Sequence, residues 1–423
     1  MDPSRALSAP HKPLVHTRSG FFAGETELRR PSLALRCRLT GTPTVWAPGT
    51  RRSAAIVAKR KAKKRIEGVS EEMNSIASQN LDLAPARRRV RSAFVEVQNR
   101  LDHVLFKSAP SGIRMEEWFE MNSKGLEIFC KAWLPRKGVR LKGIVCFCHG
   151  YGDTCTFFFE GIAKIIAASG YGVYSIDHPG FGLSEGLHGY IPSFDELVDN
   201  FIERFQVIKE RSEASGVPHF LLGQSMGGAV AIKVHLKRPS DWDGIILVAP
   251  MCKIAENVKP PPAVLKALAF LSNVLPKAKL FPETDLADLA FRDPRKKKML
   301  VDMEGILWTM PDFTVLHEMA VYNVIAYSDR MRLRTGMELL KATDDIERQI
   351  EMVSSPLLVL HGAADKVTDP AVSKFLYEKA SSKDKTLKLY PEGYHCILEG
   401  EPDERISIVF DDIVSWLDSR CIH

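Results

Sequence analysis

Between residues 116 and 248, short continuous apolar runs alternate with longer stretches in which apolar residues recur every three or four positions. The runs at 116–122, 126–134, 143–148, 173–176, 219–222 and 244–248 are read as strands, and 157–169, 194–211 and 229–235 as helices. The same rhythm resumes with strands at 356–360 and 386–390 and a closing helix at 402–417. Strands alternating with helices at this spacing predict an α/β fold with a mostly parallel central sheet flanked by helices. The rhythm breaks between 251 and 351. That region reads as helical, is interrupted by Pro260-Pro261-Pro262, and carries an apolar stripe of Val264, Leu265, Leu268, Phe270, Leu271 and Leu275. It is expected to be a helical cap inserted over the sheet.

Upstream, residues 71–106 place Val90, Phe94, Val97, Leu101, Val104 and Leu105 on one helical face. Arg87, Arg88, Arg89 and Arg91 are read as the solvated side of that helix. The first 65 residues have no hydrophobic period. The expected organisation is therefore a basic leader over 1–65, a helical extension over 66–112, a core in two parts (113–250 and 352–423) and a cap over 251–351.

Composition sharpens this at two places. The formal net charge is +6, but acids in the first 65 residues are confined to Asp2, Glu25 and Glu27, so the remainder is slightly acidic. The body gives no sign of nucleic-acid binding. The leader, rich in Arg, Ser, Thr and Pro and without an apolar core, fits an organellar transit peptide. A plastid is expected, with a mitochondrion, or the cytoplasm and a membrane surface, as alternatives. A plain unstructured tail, a nuclear address or an anionic-membrane patch at residues 59–65 are the competing readings. The 8 cysteines follow neither metal-ligand nor secreted-framework spacing, which points to a reducing compartment and no metal. Apolar runs are too short to span a bilayer. Lys266, Lys277 and Lys279 beside the cap stripe leave room for peripheral lipid contact.

The chemistry centres on Gly223-Gln224-Ser225-Met226-Gly227, set between an expected strand and an expected helix. That context is the nucleophile elbow of α/β-hydrolases: serine on a sharp turn, glycines where strand and helix must approach. A serine hydroxyl needs a base and a group that orients the base. In this fold they follow the serine in the order acid, then histidine, each at the carboxyl end of a strand. Asp365 and His395 meet that requirement. Asp177 precedes the serine and is read as holding the Pro179-Gly180 loop. His149 and His361 are read as loop organisers, and Glu399 as a weaker rival to Asp365. The oxyanion donors are expected to be the backbone N–H groups of Met226 and Tyr151, the latter in the glycine-containing loop 149–152.

Taken together, His149-Gly150-Tyr151-Gly152-Asp153, the 177–186 segment Asp-His-Pro-Gly-Phe-Gly-Leu-Ser-Glu-Gly, the elbow, and the Asp365 and His395 loops resemble the monoacylglycerol lipase family. The plant branch, which includes caffeoylshikimate esterases, is the nearer likeness. The resemblance runs from about residue 110 to the C-terminus. It implies the triad Ser225, Asp365 and His395, the donors Tyr151 and Met226, a lipophilic cap, a small-molecule acyl ester as substrate, and no cofactor. Monoacylglycerols or lysophospholipids are the expected substrates, with a phenolic ester or a non-catalytic receptor role as alternatives. Two positions depart from the animal enzymes of the family: Gln224 replaces a histidine, and Thr368 a regulatory cysteine, so thiol regulation does not carry over. No His-x4-Asp acyltransferase motif is present.

Overall fold

Eight strands pair into one sheet: β1 (Arg114–Met121), β2 (Glu127–Leu134), β3 (Gly143–Cys148), β4 (Tyr171–Ile176), β5 (His219–Gln224), β6 (Gly244–Val248), β7 (Leu357–Gly362) and β8 (Lys385–Tyr390). Their order is β1-β2-β4-β3-β5-β6-β7-β8. Only β2 runs against its neighbours. The expected strands are all there. The computed structural model describes residues 65–107, 110–211, 214–254, 261–282, 290–293, 299–300, 316–317 and 319–421, all within one compact unit, Ala62–His423. Calls on the leader and on the middle of the cap lie outside the described residues.

The central strands are apolar without interruption because both faces of the sheet are covered. Along β3, Val145 and Phe147 join one core cluster, whereas Ile144, Cys146 and Cys148 join the other. That is the two-residue alternation of an extended chain. The first cluster is closed by α2 (Ala84–Asn99), α4 (Phe158–Ala168) and α10 (Asp403–Asp418). Phe147 stacks there on Phe159 with ring centroids 3.4 Å apart. The second is closed by α5 (Phe194–Lys209), α6 (Met226–Lys237), α8 (Leu333–Gln349) and α9 (Pro370–Lys379). Each large apolar side chain so buried contributes about 1.5–3 kcal/mol. The edge strand β1 alternates instead, with Met115 and Met121 exposed.

Two expectations need correction. The stretch 71–106 is three helices: α1 (Glu71–Ala77), α2, and α3 (Val104–Lys107). Pro85 occupies the first turn of α2, where its missing N–H costs nothing, so the chain restarts a helix there. Arg87 is not on a solvated face but fully buried. Its guanidinium donates to the carbonyls of Gly182 (2.5 Å), Ser184 (2.5 Å) and Leu81 (2.9 Å). A periodicity reading assigns an arginine to water because burying its charge is costly; here backbone carbonyls of a tight loop supply the compensation. Asp82, just before α2, accepts from Arg332 Nη2 (2.7 Å), while Arg332 Nε donates to His188 O (2.9 Å). The extension thus fastens both the 182–188 loop and the foot of the cap.

In the cap, α7 (Pro262–Val274) packs against α8. Thr335 and Glu338 of α8 accept the backbone N–H groups of Ile191 and Phe194 at 2.9 and 3.0 Å, tying the cap to the start of α5. Leu268 of the apolar stripe is buried, but Phe270 and Val274 are 67% and 58% exposed. A cavity of about 290 Å³ opens beside Leu265 of α7 and Met337 and Leu340 of α8. It contains none of the residues nominated for chemistry.

Candidate active site

β5 delivers Ser225 onto a turn with φ 53° and ψ −120°, a conformation that a side chain disfavours. The turn is over-determined. Ser225 N donates to Val248 O (3.0 Å), and its carbonyl accepts from Gly228 N and Met251 N (both 2.9 Å). The flanking glycines are required by contact. A Cβ on Gly223 would lie 2.3 Å from Gly227 O, and one on Gly227 only 2.0 Å from Cys148 O. Helix α6 therefore starts hard against the ends of β3 and β5, with Met226 as its first residue. The N–H groups of a first helical turn have no intrahelical acceptor and carry the positive end of the helix dipole.

The loop after β3 approaches the same point: the Cβ position of Gly150 is 3.6 Å from Ser225 Cβ. Asp153 N bonds Gly150 O (3.3 Å), and Tyr327 N bonds Gly152 O (2.7 Å), so Tyr151 stands at the corner of a fixed turn. Its ring meets Phe181 and Tyr327 edge-on. His149 organises this loop as expected, with Nδ1 donating to Gly150 O (2.8 Å) and Nε2 accepting from His178 N (3.0 Å). Asp177 does more than hold its own loop. It accepts from Leu183 N (2.7 Å) and also from Cys155 N (2.6 Å) and Thr154 Oγ1 (2.9 Å), joining the loops after β3 and β4.

Asp365 and His395 come together. His395 Nδ1 lies 2.7 Å from Asp365 Oδ2, with side-chain exposures of 8% and 0%. Burial alone would raise the Asp365 carboxyl. Hydrogen bonds from His361 and His395, the charge of His395 and the N–H of Val367 (2.7 Å) outweigh it and hold the group below the usual carboxylate range. A carboxylate at Nδ1 keeps the proton there and leaves Nε2 free to act as a base.

Two neighbours were not legible as site residues. His361 Nε2 also faces Asp365 Oδ2 (3.0 Å) and Thr368 O (3.0 Å), and its Nδ1 meets Ser373 Oγ (2.6 Å). Thr368 Oγ1 lies 2.9 Å from Asp365 Oδ2 and 3.2 Å from His395 Nδ1. In the sequence their spacing around Asp365 reads equally well as turn structure. Glu399 does not compete for the histidine: its Oε1 accepts from Gln224 Nε2 (2.8 Å). Among the described residues no group of three or more His, Cys, Asp or Glu is arranged to hold a metal ion.

Residues 140–403 match the family model described as serine aminopeptidase, S33. The caffeoylshikimate esterase of Arabidopsis thaliana is 32% identical over 310 residues, covering 73% of this chain and 87% of that protein. The monoglyceride lipase of Homo sapiens is 30% identical over 302 residues, covering 71% and 89%. A solved structure of a soluble variant of the Saccharomyces cerevisiae monoglyceride lipase, in complex with a substrate analog, superposes with a TM-score of 0.57 at 21% identity, covering 73% and 96%.

Proposed function

The chain belongs to the serine aminopeptidase S33 family of α/β-hydrolases, and from that premise we propose that it is a serine esterase whose substrates are long-chain monoacylglycerols. It is a carboxylic ester hydrolase: the family description names a peptidase, but the relatives matched over most of their length are esterases and lipases. In the proposed mechanism Ser225 attacks the ester carbonyl while His395 Nε2 takes its proton. Asp365 fixes the imidazole through the 2.7 Å contact at Nδ1. The backbone N–H groups of Met226 and Tyr151 receive the oxyanion. His395 then protonates the leaving alcohol, and water repeats the sequence on the acyl-enzyme.

The observation that carries the reading is the strained Ser225 turn at the head of α6, with a buried Asp365–His395 pair at the ends of the later strands. The apolar exposed face of α7, with Phe270 and Val274, supports a cap that meets lipid. Lysophospholipids fit the same chemistry. The identity to caffeoylshikimate esterase favours a second reading, a phenolic ester substrate. A receptor without turnover is the poorer fit, since serine, acid and histidine are all retained. The acid-poor leader supports plastid delivery, to be checked by imaging a fusion of residues 1–70.

The test compares kcat/KM for a long-chain monoacylglycerol, a lysophosphatidylcholine and caffeoylshikimate on one preparation, with Ser225→Ala as control. Serine-dependent preference for the monoacylglycerol is expected. Preference for caffeoylshikimate would replace the lipid reading, and serine-independent turnover would remove the mechanism.

A further inference from the structure

His395 rides on a turn that is bonded on both sides of it. Before it, Tyr394 N donates to Glu401 Oε1 (2.8 Å). After it, Cys396 O accepts from Glu399 N (3.2 Å) and Gly400 N (2.6 Å). The position of His395 therefore follows that of residues 399–401. Gly400 O accepts from Arg292 N and Asp293 N of the cap, and Glu401 accepts from Arg405 Nε of α10. Glu399 is placed differently. Its Oε1 accepts from Gln224 Nε2 (2.8 Å), and Gln224 immediately precedes Ser225. One residue thus links the loop of the base to the strand end that carries the nucleophile.

Glu399 is also held at its backbone carbonyl, by His103 of the helical extension. His103 is 2% exposed, and its Nε2 donates to Glu399 O at 2.8 Å. The ring is itself fixed. Nδ1 accepts from Leu105 N (3.1 Å), which caps the start of α3, and the imidazole packs against Phe158 with ring centroids 4.9 Å apart. One nitrogen donates and the other accepts, an arrangement that a neutral imidazole with its proton on Nε2 satisfies. Capping a four-residue helix does not call for the second nitrogen, since Asn, Ser or Asp would accept from Leu105 as well. The contact with Glu399 does call for it, because the donor must reach farther than those side chains extend. His103 also lies upstream of residues 140–403, so the segment that matches the family does not contain it. Taking the Ser225–His395 mechanism above as given, we propose that His103 is a positioning residue for that reaction: through Glu399 it sets the distance between His395 and Ser225. Displacing a reacting group by about 1 Å can cost on the order of 100-fold in rate. A tie of this kind acts on kcat rather than on substrate affinity.

The experiment uses the full chain and two variants that separate the two ring nitrogens. His103→Asn keeps an acceptor for Leu105 N but is too short to reach Glu399 O. His103→Gln carries an amide donor out to the Nε2 position and gives up the cap. kcat and KM are measured on p-nitrophenyl butyrate and on the monoacylglycerol, per Ser225 counted with a fluorophosphonate, so that only folded sites enter. Expected in His103→Asn is a fall in kcat of about tenfold with KM unchanged. The rate at which the fluorophosphonate labels Ser225 should fall in step. His103→Gln should return to within about threefold of wild type. The reverse order, with Gln impaired and Asn like wild type, would reduce His103 to a helix cap. Equal kcat in the two variants, whether at the wild-type level or below it, would also overturn the inference. Either result leaves the esterase reading standing. Turnover of the p-nitrophenyl ester alone would remove the monoacylglycerol reading, while the comparison of Asn with Gln still decides the role of His103. Turnover by Ser225→Ala would remove the mechanism on which both rest.

Discussion

His361 Nε2 lies 3.0 Å from Oδ2 of Asp365, the same oxygen that holds His395, and both side chains are fully buried. His361 therefore positions the acid rather than the loop alone. Hydrogen bonds to a charged group are worth about 1.5–3 kcal/mol. His361→Phe should lower kcat roughly 10- to 100-fold on that scale with little change in KM. His361→Gln, which restores a donor, should recover part of the loss. An unchanged kcat in His361→Phe would show that Val367, Thr368 and His395 suffice to orient Asp365.

Asp365→Asn should keep the fold but fix the wrong imidazole tautomer. A loss of about 10⁴ in kcat is expected for such a change in a serine triad. The check is steady-state kinetics together with fluorophosphonate labelling, which should slow in parallel. A loss below tenfold would move the acid's role elsewhere.

Arg87→Met should unfold more readily than wild type, because it leaves the carbonyls of Gly182 and Ser184 buried without donors. Each unmet group costs about 1–3 kcal/mol. Urea unfolding should show a lower midpoint at constant slope. A midpoint equal to wild type would mean that water enters and replaces the guanidinium.

Glu399 makes stability depend on pH. Burial, opposed by the Gln224 hydrogen bond and reinforced by Asp153, raises its carboxyl from 4.5 to about 7, with Cys396 and His395 as its other neighbours. A raised folded value means that the native state holds the proton more tightly. The associated stability is complete below the unfolded value and is lost as pH rises through about 7. At pH 8 the loss is on the order of 3 kcal/mol, from about 1.4 kcal/mol for each unit of the shift. Between pH 5 and 8, Glu399→Gln should thus gain stability relative to wild type in urea titrations. Parallel curves for the two proteins would contradict a buried titrating carboxyl.

The sheet was readable because covering both faces forces uninterrupted apolar runs such as Ile144–Cys148, and the elbow because sterics leave only glycine at 223 and 227. Asp365 and His395 were found by order along the chain, a rule of topology. Arg87, His361, Thr368 and the pairing of Glu399 with Gln224 escaped because each depends on a partner distant in sequence or hidden behind a turn. No period or spacing encodes such contacts. An arginine in the first turns of a helix reads as surface until the carbonyls that receive it are seen.

That arginine also sets a limit on trimming. From the segment that precedes the sheet, Arg87 reaches the 182–188 loop and Asp82 the foot of the cap, while the Leu81 carbonyl holds Arg87 in place. Whatever a protease or an engineer removes from the front of the chain, the cut must fall upstream of Leu81. A shorter product would begin with the 182–188 loop already unfastened.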